Sequence, residues 1–240
     1  MNVIYDIGNT VNKLALYDRG KKIFSIRTRD LTCEKIKEKT LPFRLSKMII
    51  CSVKDLPEFL YDLMSVDIPF VHVLNSKSKL PFKNEYETPE TLGTDRLASV
   101  AGASLHFPDE DVLIIDAGTA ITYDFLSGKK YKGGNISPGL TIRFRALHKF
   151  TDKLPLETIS EDYTFPGRNT SDAIKAGVIT GVVYEINEYI RTFKKDHNKL
   201  KVIITGGDSE FLKDRIRYRT RYFPDLVLDG LNYILEYNAK

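Results

Sequence analysis

Two stretches decide the fold: VIYDIGNTVNKLALYDRGKK at 3–22 and LIIDAGTAITYDFLSGKK at 113–130. Each opens with an apolar run that closes on Asp-x-Gly, at Asp6-Ile7-Gly8 and at Asp116-Ala117-Gly118. Each continues in runs of alternating apolar residues, hinged at Asp18-Arg19-Gly20 and at Ser127-Gly128. Period-two alternation with Gly at the turn predicts a β-meander in both places. Shared order and shared turn placement make this an internal repeat of a whole structural unit. The two Asp-x-Gly turns lie 110 residues apart, which fits two similar halves and not a short-period solenoid.

A carboxylate at a strand end, followed by a turn whose Gly lets backbone approach a ligand, suits phosphate handling. At Asp6-Ile7-Gly8-Asn9-Thr10, backbone N–H groups and the Thr10 hydroxyl can donate to phosphate oxygens, and Asp6 can hold Mg²⁺ directly or through water. One such turn could be an ordinary hairpin, since Asp, Gly and Asn all favour turns. Its echo at Asp116-Ala117-Gly118-Thr119 favours function, because two such turns can clamp one polyphosphate.

Between the repeats, 47–53 and 70–74 read as buried strands, 56–64 has helical spacing, and 75–92 reads as a loop. Gly93 to Phe107 reads as a helix rich in small residues, entered through Tyr86-Glu87-Thr88-Pro89-Glu90-Thr91-Leu92-Gly93-Thr94-Asp95-Arg96. Asp95 there can take a proton from a hydroxyl, and Arg96 offers a fork for a carboxylate. In isolation the blander reading is stronger: an acid satisfying a helix dipole and an Arg in a surface ion pair. Gly133-Gly134-Asn135-Ile136-Ser137-Pro138-Gly139 reads as a loop entering a helix, facing a ligand or permitting close packing.

Downstream, 170–195 predicts a long helix capped by Asn169 or Thr170, with Ala173, Gly177 and Gly181 four apart on one face. Lys201 to Ile204 predicts a strand ending in Thr205-Gly206-Gly207-Asp208, where glycines either admit an adenine or ribose or simply make a tight turn. Arg215, Arg217, Arg219 and Arg221, at every second position, read as a charged edge strand in preference to an RNA-binding stripe. His106 and His148 have no metal-ligand spacing and read as structural.

The 240 residues are 42% hydrophobic and 28% charged, which excludes disorder, collagen and coiled coil. A net charge of +4 is too slight to imply nucleic acid. Two cysteines and four scattered histidines give no zinc framework. With no leader and no apolar run near the ~18 residues of a membrane span, a soluble cytoplasmic protein is expected. There is no GxxxxGK[ST], no HRD with a downstream DFG, and no GxGxxG after the first strand, which argues against Walker, protein-kinase and dinucleotide folds.

The repeated turn and trailing meander resemble the duplicated α/β fold of actin, sugar kinases and heat-shock chaperone ATPases, the actin-like or ribonuclease H-like fold. Within that superfamily, DIGNT at 6–10, YETPETLGTDR at 86–96, DAGTA at 116–120, GGNISPG at 133–139 and NT at 169–170 are similar to the ordered motifs of type III pantothenate kinases. The resemblance runs end to end and implies two halves, 1–106 and 107–240, with the active site in the cleft between them and the C-terminal segment packing back on the first. It implies ATP phosphates on Asp6, Ile7, Gly8, Asn9, Thr10, Val11, Asn12 and Lys13, joined by Thr119, with Mg²⁺ near Asp6. It implies pantothenate on Tyr86, Gly93, Thr94, Asp95, Arg96 and Thr170, with Asp95 as the catalytic proton acceptor. Asp116 would hold a monovalent cation, K⁺ or NH₄⁺, and the protein would be a homodimer with the acid pocket at the subunit contact. The alternatives are another actin-like phosphotransferase, such as a sugar kinase or polyphosphate phosphatase, and an ATP-binding regulator without activity. Arg96 discriminates, since a sugar site needs no partner for a carboxylate.

Overall fold

A computed structural model of the chain describes residues 1–29, 32–54 and 68–239. The helical spacing at 56–64 lies outside the described residues. The chain forms two compact units: Met1–Asp109 with Leu126–Lys132 and Asp225–Lys240, and Glu110–Phe125 with Gly133–Pro224.

The first unit is built on a five-stranded sheet of β1 (Asn2–Ile7), β2 (Asn12–Asp18), β3 (Lys21–Thr28), β4 (Lys47–Ser52) and β5 (Phe70–Val73), in the order β3-β2-β1-β4-β5. The predicted meander β1–β2–β3 is antiparallel, β4 pairs with β1 in parallel, and β5 pairs with β4 in parallel. All six residues of β1 are buried, as expected of a central strand covered on both faces. One face carries Val3, Tyr5, Leu14, Leu16, Met48 and Ile50, packed with Ile36 of α1 (Cys33–Thr40). Toward the other face come α2 (Thr94–His106) and α6 (Leu226–Asn238), which pack closely on each other where Gly230 lies against the backbone of Ala98 and Gly102, and Gly102 against Leu226. Polar bonds hold α6 to the sheet: Tyr17 donates to Asp229 (2.6 Å), Asn2 to Asn232 (2.9 Å), and Lys47 to Glu236 (2.6 Å). His106 bonds Asp229 at 3.0 Å, and is structural as expected.

The second repeat gives β7 (Asp111–Ala117), β8 (Ala120–Ser127) and β9 (Lys130–Pro138). They belong to a six-stranded sheet, β11-β10-β7-β8-β9-β6, with β6 (Lys83–Asn84), β10 (Lys201–Thr205) and β11 (Arg221–Tyr222). In the second unit α3 (Leu140–Lys149) and α4 (Thr170–Asp196) pack beside this sheet, and Ile174, Ile179, Val182, Ile186 and Ile190 of α4 enter its core. The short α5 (Ser209–Leu212) follows β10.

Three sequence readings need correction. Residues 133–138 are strand, not loop: pairing within the sheet outweighs the low strand propensity of Gly133 and Gly134. The arginine stripe is not one strand. Arg215 ends a 3-10 turn (Lys213–Arg215), and only Arg221–Tyr222 extends along β10. The loop 75–92 contains β6 and a 3-10 turn, Pro89–Thr91.

Candidate functional site

In the first unit the sheet register sets the first Asp-x-Gly turn. Asp6 sits at the end of β1, level with Lys13 on β2 and Cys51 on β4. Its carboxylate is 4% exposed and lies 3.3 Å from the Lys13 ammonium. Burial pushes the Asp6 carboxyl upward, against the pull of Lys13 and the Cys51 thiol. A buried carboxylate that burial destabilises as an anion is a favourable place for a cation. The turn itself exposes Asn9 and Thr10, and the Lys54 ammonium donates to the Asn9 carbonyl at 2.9 Å.

The acceptor motif starts one strand away. Gly93 precedes α2, and Thr94, Asp95 and Arg96 form its first turn. Thr94 donates to the Ser52 carbonyl (3.0 Å) and accepts from the Cys51 thiol (3.3 Å), so the start of α2 is tied to β4 beside Asp6. Cys51 is fully buried and burial raises its thiol well above the usual range, which keeps it protonated as a donor. The Asp95 carboxylate accepts from the Arg96 backbone N–H at 2.8 Å. Arg96 is buried, its guanidinium 5.5 Å from the centre of the Tyr86 ring and donating to the Tyr131 hydroxyl at 2.9 Å. Tyr86 and Tyr131 stack at 6.1 Å. The first unit thus brings together Asp6, Lys13, Thr94, Asp95, Arg96 and Tyr86.

The second Asp-x-Gly turn, Asp116 to Thr119, is in the other unit. Gly118 donates to the Ala120 carbonyl at 3.0 Å, and the exposed Thr119 accepts from the Gly139 N–H at 3.1 Å through its carbonyl. A side chain on Gly139 would run into the carbonyls of Gly118 and Thr119, so this glycine seats the turn on the start of α3. Gly206, at φ +97°, lies against the Asp116 carboxylate and the Ala117 carbonyl. Asp208 donates its N–H to that same carbonyl at 2.8 Å, and burial raises its carboxyl. The Thr205–Asp208 segment is therefore a tight strand-to-helix turn packed on the second Asp-x-Gly turn.

Thr170 is also in the second unit, exposed at the start of α4, where Asn169 is the cap and accepts from Asp172 N–H at 2.9 Å. It lines a cavity of about 1030 Å³ with Phe150, Ala173 and Gly177. Tyr86 and Thr170 thus belong to different units.

A family model, type III pantothenate kinase, matches residues 2–192. The chain belongs to the type III pantothenate kinase family. It is 44% identical over 242 residues to a type III pantothenate kinase of Bacteroides fragilis, covering 99% of this chain and 98% of that one. It is 42% identical over 244 residues to one of Phocaeicola vulgatus, covering both chains fully. Among solved structures, a Baf family transcriptional activator from Campylobacter jejuni aligns with a TM-score of 0.59 at 24% identity, over 99% of this chain and 98% of that one. A ROK family glucokinase from Streptomyces griseus aligns with a TM-score of 0.51 at 12% identity, over 99% of each. These structural likenesses show the shared actin-like fold, and the family membership carries the kinase activity.

Sequence reasoning did not find Tyr131, Cys51 or Lys54. The signal available for Tyr131 was a large aromatic just beyond a hairpin turn, which does not say what it meets.

Proposed function

We propose that the protein transfers the γ-phosphoryl group of ATP to the primary hydroxyl of pantothenate, giving 4′-phosphopantothenate, the entry step to coenzyme A. The observation that carries this reading is the buried Arg96 fork, held by Tyr131 over Tyr86, one residue from Asp95. Arg96 pairs the pantothenate carboxylate, a charge-assisted and bidentate contact. Tyr86, Gly93 and Thr94 complete the pocket with Thr170. Asp95 takes the proton of the hydroxyl as it attacks the phosphorus in line, and the transition state is loose, so positioning and charge neutralisation supply most of the catalysis.

The segment from Asp6 to Lys13, with Ile7, Gly8, Asn9, Thr10, Val11 and Asn12 between, binds the ATP phosphates, and Thr119 joins them. The buried Asp6 carboxylate suits Mg²⁺ held through water, and Asp116, faced by the bare backbone of Gly206, suits K⁺ or NH₄⁺. Held by these carboxylates, such cations would supply charge neutralisation for the phosphate oxygens.

The protein works as a homodimer in the cytoplasm. In support, Gly177 and Gly181 of α4 have open space beside them, Phe150 is exposed at the cavity that Thr170 lines, and among the described residues no helix is long and apolar enough to cross a membrane. Nucleic acid and membranes are not partners in this reading.

A coupled ADP-release assay tests the reading. Pantothenate should stimulate ADP release in potassium and much less in sodium, and light scattering should give the mass of two chains. ADP release indifferent to pantothenate would refute the function, and equal rates in both salts would refute the role of Asp116.

A further inference from the structure

We propose that Tyr131 is a positioning residue for the acceptor site: its hydroxyl fixes the plane of the Arg96 guanidinium and so sets the preference for a carboxylate-bearing acceptor. The inference rests on the reading of Arg96 as the carboxylate anchor.

Tyr131 is fully buried, and several contacts fix where its hydroxyl sits. Its ring stacks on Tyr86 (6.1 Å between centres, 10° between planes), and Phe82 meets it edge-on (6.3 Å, 74°). Its backbone is in register with Asn84 on β6 and accepts from Glu85 N–H at 3.0 Å. Glu85 in turn bridges Lys83 (2.9 Å) and Lys132 (2.7 Å), closing the short strand pair around the tyrosine. The segment that delivers it, Leu126–Lys132, is compact with the first unit, where Arg96 resides.

An arginine side chain has several rotatable bonds, and its planar fork is selective only when its plane is held. Arg96 Nη2 donating to Tyr131 at 2.9 Å, above the Tyr86 ring, holds that plane before an acceptor arrives. A group that only orients the anchor strengthens ground-state and transition-state binding alike, because the carboxylate is remote from the reacting hydroxyl. Its loss therefore raises KM and spares kcat.

The test uses Tyr131→Phe, which keeps the ring and its packing and removes the acceptor for Arg96. KM for pantothenate should rise about three-fold or more, because the fork is no longer held in place before the acceptor binds. kcat, KM for ATP and KM for a pantothenate amide should each stay within about two-fold. In an Arg96→Ala background, Tyr131→Phe should add nothing, since the two act as a unit. Phe82→Leu, which loosens the ring but keeps the hydroxyl, should lower the melting temperature and raise KM for pantothenate by less than Tyr131→Phe does. Wild-type KM in Tyr131→Phe, or an equal KM rise in Phe82→Leu, would overturn the inference while leaving the function standing. A wild-type protein that does not respond to pantothenate would overturn both.

Discussion

The Asp95 carboxylate accepts a hydrogen bond from the Arg96 backbone N–H at 2.8 Å, which fixes it on the first turn of α2 beside the buried Arg96 side chain. An asparagine at 95 can accept the same bond through its amide oxygen, and the helix start survives. What it cannot do is take a proton. Asp95→Asn should therefore lower kcat by a factor on the order of 10²–10⁴ with ATP affinity nearly intact. Steady-state kinetics with calorimetric ATP binding checks this, and near-normal kcat would remove Asp95 from the role of base.

If Asp116 holds the monovalent cation as proposed, Asp116→Ala should abolish the response to potassium and weaken ATP handling. Titrating KCl against NaCl at fixed ionic strength is the check. A variant that still responds to potassium like wild type would place the cation elsewhere.

Gly139→Ala drives a methyl group into the carbonyls of Gly118 and Thr119. The turn must shift, and overpacking of this kind costs about 1–3 kcal/mol. KM for ATP should rise while KM for pantothenate holds, since Gly139 is in the second unit and Arg96 in the first. Unchanged KM for ATP would show that the second turn has no part in ATP handling.

Asp225, just before α6, is paired with Lys22 and with Arg27 (3.1 Å) on β3. Burial works against its carboxylate, yet hydrogen bonds from these two cations hold its pKa below the usual carboxylate range. A depressed folded-state pKa contributes stability above the unfolded value of about 4, lost as pH falls through the folded value. Asp225→Asn should thus lower the melting temperature modestly at neutral pH, and the gap to wild type should close on acidification below about pH 4. A gap independent of pH would assign the effect to packing.

The duplicated turns were legible because each joins two strong local signals, a buried β-run and the Asp-x-Gly turn that ends it. Asp6 and Asp116 are placed by those signals alone. The acceptor motif was legible only through its family likeness, since an acid and an arginine at a helix start are commonplace. Tyr131 was out of reach because its meaning depends on β9 pairing with β6, a contact between distant segments with no local pattern. The same holds for Cys51, whose place beside Asp6 needs the parallel register of β1 and β4 and whose link to Thr94 needs α2 packed on β4. Gly133 and Gly134 misled in the opposite direction, as local loop formers overruled by the sheet.

The most direct test of the central claim, an acid acceptor anchored on Arg96, compares pantothenate with its uncharged amide in wild type, Arg96→Lys and Arg96→Ala. Wild type should strongly prefer the acid. Arg96→Lys keeps the charge and loses the fork, so KM for the acid should rise, and in Arg96→Ala it should rise further, with KM for ATP little changed. The amide should lose much of its disadvantage in Arg96→Ala, having no carboxylate to leave unpaired. A wild-type protein that uses the amide as well as the acid would contradict the account.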